Sequence, residues 1–419
     1  MIQWIKSKPW LYKTLMQGHK FYMSIHEMFM HLAWHLFVHF PLNTKKVVFG
    51  NFYGGGFGDN PKFIAEELLK RDLGFELYWM LEDVKSPLPK GIKPVRPNTF
   101  AFAYHMATAK FWVDNTRKQH YLIKRKEQYY IQTWHGGPGL KKVELDVAHS
   151  ISKEYQEYAK ADSKRIDLFL SCCQWCSDLY HRAFWYDGPL LEKGIPKNDL
   201  YFKDPTPIRE KVLKRFDIPE NAKLIMYAPT YRDDRSTDMY NLDYERALKA
   251  LHKRFGGEWY LLVRLHPNCA ASAGEVTTGA NIKNATLYEN MQELLVACDM
   301  IISDYSGCAF DYLMLKRPGF LYAEDYEKIK KVKDYYFTLD ELPFDLAFNN
   351  DELEDYILNF NEAEYERKCE EYLKTMYVLK KQNGNIRVTD IANKMECTKP
   401  SVNKALNNLK EEKLVNYET

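Results

Sequence analysis

The segment Lys45-Lys46-Val47-Val48-Phe49-Gly50-Asn51-Phe52-Tyr53-Gly54-Gly55-Gly56-Phe57-Gly58-Asp59-Asn60-Pro61 reads as a strand, a loop and the start of a helix. Val47-Val48-Phe49 is a short β-branched and aromatic run closed by glycine, the pattern of a buried strand. Gly54-Gly55-Gly56 breaks it, and Asp59-Asn60-Pro61 supplies capping side chains and a proline where a helix running to Leu69 begins. The alternation continues outward from there. Strands are predicted at Glu76–Leu81, Lys110–Asn115, Gln128–Thr133 and Leu168–Cys172, with helices around Ala101–Ala107 and Ile151–Ala159. A second series comes after Pro205-Thr206-Pro207, with strands at Leu224–Ala228, Trp259–Leu265, Met300–Ser303 and Gly319–Tyr322. Strands that alternate with helical stretches build parallel sheets. The expected fold is therefore α/β, with two doubly wound halves at residues 45–204 and 205–370. Ligands of such folds bind at the carboxyl ends of the strands, and in a two-lobed version between the halves.

Composition sets the outer limits. At 419 residues the chain exceeds one ordinary core. Hydrophobic residues at 46% and charged residues at 28% exclude a disordered chain. A formal charge of +2 gives no overall field for nucleic acid. Eight cysteines in this length form no disulfide framework. Cys172, Cys173 and Cys176 lie close together without a partner pair at zinc-finger spacing, so reduced thiols along a strand end and the next helix are expected, with no metal and no cofactor.

Residues 1–44 have a different texture. Phe21, Ile25, Met28, Leu32, Leu36 and Phe40 follow helical spacing, and Lys6, Lys8, Lys13 and Lys20 precede or flank them. Glu27 and four histidines within the stripe make a poor transmembrane span, and no cleavage pattern of small residues marks a signal peptide. An amphipathic helix in a membrane interface fits, and so does a helix packed on its own domain.

Four strand-end clusters carry the chemistry: Gln132–Pro138 with His135, Tyr227–Arg232 with Thr230 and Arg232, Arg264–Asn268 with His266, and Ser303-Asp304-Tyr305-Ser306-Gly307. A lone strand-end histidine is commonly structural. One per half, each beside chain-breaking residues, favours proton transfer or oxyanion stabilisation. The Ser303–Gly307 cluster opens a helix at Ala309–Leu315, and a helix start with free amides seats phosphate. Arg232 and Arg264 add charge suited to phosphate oxygens.

In this order the clusters resemble the CDP-glycerol glycerophosphotransferase family that builds teichoic acids and related capsule polymers. The resemblance runs from about Val47 to Phe344. It includes Asp59-Asn60-Pro61, Asp114-Asn115-Thr116-Arg117, Gln132–Pro138 followed by Leu140-Lys141-Lys142, and Gly194–Asp199. It continues through Tyr227–Arg232, Arg264–Pro267 and the run from Ser303 to Tyr312, and closes with Lys316-Arg317-Pro318, Tyr322 and Asp325. The resemblance implies two Rossmann-like lobes of the GT-B type, a CDP-polyol donor and a polyprenol-linked acceptor at the cytoplasmic face of the plasma membrane. It also implies His135 as base toward the acceptor, with Asp59, Asn60, Trp134, Gly136 and Lys141 on that side. His266 then lies near the donor phosphates, and Thr230, Arg232, Arg264, Ser303, Asp304, Ser306, Gly307 and Asp311 line the donor pocket. The sequence departs from the family pattern in three places: Gly137 stands for its usual threonine, Gly307 for its second serine, and Gly194-Ile195-Pro196-Lys197-Asn198-Asp199 for Gly-Tyr-Pro-Arg-Asn-Asp. Altered affinity or polyol choice is the expected consequence.

Residues 371–419 resemble the first part of a winged helix-turn-helix of metal-dependent repressors, with helices at Val388–Met395 and Pro400–Leu409. Lys399, Lys404 and Lys410 are offset by Asp390, Glu396, Glu411 and Glu412, which argues against DNA reading. The apolar face of Ile391, Val402, Leu406 and Leu409 still requires burial, on the large domain or on a second copy in a homo-oligomer. Two rival readings keep the same residues: a GT-B glycosyltransferase using a sugar nucleotide, and a ligand-sensing DNA-binding regulator.

Overall fold

The computed structural model describes residues 9–136, 139–230, 241–266, 276, 278–330 and 334–371. The chain divides into two compact units that interleave along the sequence. The first takes residues 1–135, 152–170 and 184–191, and the second takes 136–151, 171–183 and 192–419.

In the first unit a seven-stranded sheet runs in the order β3-β2-β1-β4-β5-β6-β7. Its strands are β1 (Asn43–Gly50), β2 (Glu76–Met80), β3 (Ile92–Val95), β4 (Ala109–Asp114), β5 (Tyr129–Gln132), β6 (Leu168–Ser171) and β7 (Leu190–Glu192). The described pairings from β3 through to β6 are all parallel. Val47, Phe49, Leu77, Trp79, Leu81 and Val113 build one core, against which Ile64, Leu68 and Leu69 of the helix Asp59–Arg71 pack. Phe49 and Trp79 stack at 5.6 Å between ring centroids. Each large side chain buried this way contributes roughly 1.5–3 kcal/mol before chain entropy is subtracted.

The end of β1 needs glycine for a steric reason. A Cβ on Gly50 would lie 1.9 Å from Asp114 Oδ2, so any side chain there would displace the β4 carboxylate. That carboxylate anchors the loop leaving β4. Thr116 donates to Asp114 Oδ1 from its backbone N (2.8 Å) and its hydroxyl (2.9 Å), and the Lys118 ammonium pairs with Oδ2. Both members of the Asp114–Lys118 pair are buried.

The amino-terminal helix Pro9–Phe37 packs on this unit through Met30, Ala33 and Trp34. Trp34 meets Trp112 edge-on at 6.0 Å, and the His26 ring hydrogen-bonds the Asn98 carbonyl at 2.9 Å. The stripe read from the sequence faces away: Phe21 is 68% exposed, Leu32 67%, Met28 60% and Leu36 60%. Among the described residues no helix is long and apolar enough to cross a membrane.

The second unit holds a six-stranded sheet ordered β10-β9-β8-β11-β12-β13. The strands are β8 (Lys223–Ala228), β9 (Trp259–Val263), β10 (Ile282–Asn284), β11 (Met300–Ser303), β12 (Gly319–Tyr322) and β13 (Asp345–Ala347), and all pairings are parallel. Leu224, Met226, Leu262 and Ile301 meet Val212, Leu213, Leu294 and Leu295 of the covering helices in its core. Residues 140–142 join this unit through main-chain bonds to 334–336: Tyr336 N donates to Leu140 O (2.7 Å) and Lys142 N to Asp334 O (2.9 Å). The helices read at 388–395 and 400–409 lie outside the described residues.

Candidate active site

Each sheet has a topological switch point, where the strand order reverses and the loops leaving neighbouring strands separate to open a crevice. In the first sheet it falls between β1 and β4, in the second between β8 and β11. The sequence clusters sit at these two places or directly beside them.

At the first switch point Asn115 follows β4 and holds the loop after β1. Its Oδ1 accepts from Phe52 N at 2.9 Å, and its Nδ2 donates to Asn51 Oδ1 at 2.7 Å. Its main-chain carbonyl meets His135 Nδ1 at 2.8 Å. A carbonyl only accepts, so Nδ1 carries the hydrogen of the neutral ring and Nε2 is its basic nitrogen. The ring stacks on Trp134 at 4.4 Å and leans on Phe52 at 5.1 Å. Trp134 adopts a left-handed backbone (φ 49°), fixed by Gln132 Oε1, which accepts from Trp134 N at 2.8 Å. Asn60 is fully buried and donates to the Trp134 carbonyl at 3.0 Å. It holds the histidine segment from behind. Asp59 is half-buried, with its carboxylate accepting from Asn60 N at 2.8 Å.

At the second switch point Asp304 is the tie between strands. Its Oδ1 accepts from Thr230 N (2.8 Å), beyond β8, and from Tyr305 N (2.6 Å), beyond β11. Ser303 donates to the Ala228 carbonyl at 2.8 Å. Ser303 and Asp304 are buried and position their loops. Ser306 caps the helix Gly307–Leu313, accepting from Cys308 N at 3.4 Å. Farther along that helix, Asp311 receives Lys197 Nζ at 3.5 Å and Asn198 Nδ2 at 3.3 Å. Neither Lys197 nor Asn198 stands out from the sequence as a site residue, although the Gly194–Asp199 motif contains both.

His266 follows β9. Although the residue as a whole is exposed, partial burial of its ring lowers the imidazole pKa, and the charges of Lys141 and Arg264 push the same way. A lowered value keeps this imidazole neutral at neutral pH. Lys141, grouped from the sequence with the acceptor side, belongs with Gly136 to the second unit, where its charge acts on His266. Arg264 donates to the Ala285 carbonyl at 3.2 Å. Arg232 lies outside the described residues.

Apart from its chain neighbours and the backbone of its own helix, no heavy atom lies within 4 Å of a Cβ added at Gly307. Gly307→Ser should therefore fold with unchanged stability, to within about 0.5 kcal/mol in urea unfolding. A loss above roughly 2 kcal/mol would show that the space is not available.

Two parallel sheets, each with its polar clusters at the carboxyl ends of its strands, define an α/β protein of the doubly wound class. Within that class the family is specific. The chain belongs to the CDP-glycerol:poly(glycerophosphate) glycerophosphotransferase family, whose model matches residues 31–391. Similar proteins include the teichoic acid poly(glycerol phosphate) polymerase of Staphylococcus epidermidis, 30% identical over 72% of this chain and 44% of that protein. The polymerase of the same description from Bacillus subtilis is 28% identical over 78% of this chain and 45% of its own length. The chain thus spans about half the length of these relatives. The teichoic acid glycerol-phosphate transferase of Staphylococcus aureus is 28% identical and matched over 85% of its length. Among solved structures, the wall teichoic acid polymerase TagF superposes with a TM-score of 0.73 at 27% identity, covering 86% of this chain and 91% of that one. A model for the amino-terminal DNA-binding domain of iron-dependent repressors matches residues 364–419.

Proposed function

We propose that this protein transfers glycerol phosphate, or a related polyol phosphate, from a CDP-polyol to a hydroxyl of a membrane-linked teichoic-acid-type or capsule acceptor, releasing CMP. The hydrogen bond from His135 Nδ1 to the Asn115 carbonyl carries this reading, because it makes Nε2 the proton acceptor. Nε2 takes the acceptor proton while that oxygen forms a bond to the polyol-bearing phosphorus. The bond from this phosphorus to the bridging oxygen breaks, and CMP leaves with the electron pair. In the second unit His266, Arg264 and the amides at Ser306-Gly307 face the phosphate charge, while Thr230 and Asp311 line the donor pocket. Positioning and charge stabilisation supply most of the rate gain in such transfers. We read the two units as Rossmann-like lobes of the GT-B type.

The family match supports CDP-glycerol over a sugar nucleotide, and the two donors assayed side by side test it. Turnover of CDP-glycerol without that of UDP-sugars is expected; the reverse preference would sink the reading.

The outward stripe of the helix Pro9–Phe37 supports a peripheral seat on the cytoplasmic face of the membrane. Leu32→Glu with Leu36→Glu changes that face and leaves the buried Met30, Ala33 and Trp34 in place. The double variant should sediment with anionic liposomes several-fold less than the parent. Equal sedimentation would place the membrane contact elsewhere. For residues 371–419 we propose a packing or self-association role, because the apolar face of Ile391, Val402, Leu406 and Leu409 requires burial.

A further inference from the structure

Cys172, Cys173 and Cys176 stand where β6 ends and the helix Gln174–Ala183 begins. Their sulfurs lie within 4.8 Å of one another, with Cys172 Sγ 3.7 Å from Cys173 Sγ and 3.2 Å from Cys176 Sγ. All six described cysteines are free thiols, and no other group of three or more His, Cys, Asp or Glu converges among the described residues.

We propose that these three thiols form a binding site for a thiophilic d10 metal ion of the Zn2+ kind. The spacing fits: thiolates about 2.3 Å from a shared ion lie about 3.7–4.0 Å apart, within reach of small rotamer changes here. Absence of a second zinc-finger pair does not count against the site, because three ligands come from one five-residue segment. Zn2+ held by three protein ligands keeps a fourth position for water. Cys176 is buried, while Cys172 and Cys173 are half-buried, which gives an ion a way in.

The surroundings suit the charge and the geometry. Three thiolates and a dication leave one net negative charge, and the backbone amides of Trp175 and Cys176, in the first turn of this ten-residue helix, hydrogen-bond the Cys173 sulfur. Ser171 Oγ donates to the Cys173 carbonyl at 2.9 Å, and Ser177 Oγ lies 2.9 Å from Ser171 Oγ and 2.7 Å from Glu192 Oε2. This shell fixes the backbone that carries the ligands. A bound ion clips the strand end to the first turn of the helix.

Reduced full-length protein titrated with Co2+, a spectroscopic stand-in for Zn2+, tests the site. A thiolate-to-cobalt charge-transfer band should saturate at one equivalent and disappear when Zn2+ is added. Cys176→Ser and the less buried Cys172→Ser should each weaken binding by more than about 100-fold, beyond the 10–100-fold that outer partners carry. Cys298→Ala should leave the band unchanged. No band at one equivalent, a band indifferent to both serine variants, or a Cys172–Cys176 disulfide persisting under reductant would overturn the proposal.

Discussion

Replacing His135 with alanine is expected to lower polyol-phosphate transfer by about two to four orders of magnitude, the loss typical of one essential proton-transfer group. The fold should survive, because Asn60 and Gln132 hold the segment through the main-chain carbonyl and amide of Trp134. His266→Ala should give a comparable loss. The two variants should differ in one respect: the His135 variant keeps its affinity for CDP-glycerol, while the His266 variant loses part of it. Circular dichroism, donor binding and turnover on the same preparations make the comparison. Near-parental turnover in either folded variant would remove that histidine from the chemistry.

The second large effect concerns stability. Asp114→Ala removes the carboxylate and leaves the Lys118 ammonium buried, with side-chain exposure of only 1%. An uncompensated buried charge costs about 3–5 kcal/mol. Thr116 also loses the acceptor for its amide and hydroxyl. Urea unfolding of the first unit should shift by that amount. Adding Lys118→Met should recover much of it, since the buried charge is gone. An Asp114→Ala variant within about 1 kcal/mol of the parent would show that water reaches the pair.

Most of the architecture is legible because central strands of parallel sheets are buried on both faces and read as continuous apolar runs. Val47–Phe49, Leu224–Ala228, Trp259–Val263 and Met300–Ser303 are of this kind. The four strands that leave no clear signal are the four edges: β3, β7, β10 and β13. Three of them have three residues each, too few to show a period, and β3 contains Pro94, which an edge tolerates.

The site divides in the same way. His135, His266 and Ser306 declare themselves through their types and their placement after strands. The role of Asn60 does not, because its partner carbonyl lies 74 residues away. Lys141 is a near neighbour of His135 in the chain, yet the isolated bridge to Tyr335 ties it into the second unit. Long-range pairing of that sort leaves no local trace. The stripe from Phe21 to Phe40 lies on the helix face turned away from this unit, while burial falls on Met30, Ala33 and Trp34, which lie off that stripe.

The central claim is that a phosphoryl group moves, and the fate of one phosphorus atom decides it. CDP-glycerol labelled with 32P at the glycerol-side phosphate, incubated with the protein and a lipid-linked acceptor, separates the routes directly. Label appearing in the acceptor with an equal amount of unlabelled CMP is the predicted result. Label retained in CDP while the acceptor gains mass would mean transfer without the phosphate, and the account would be wrong.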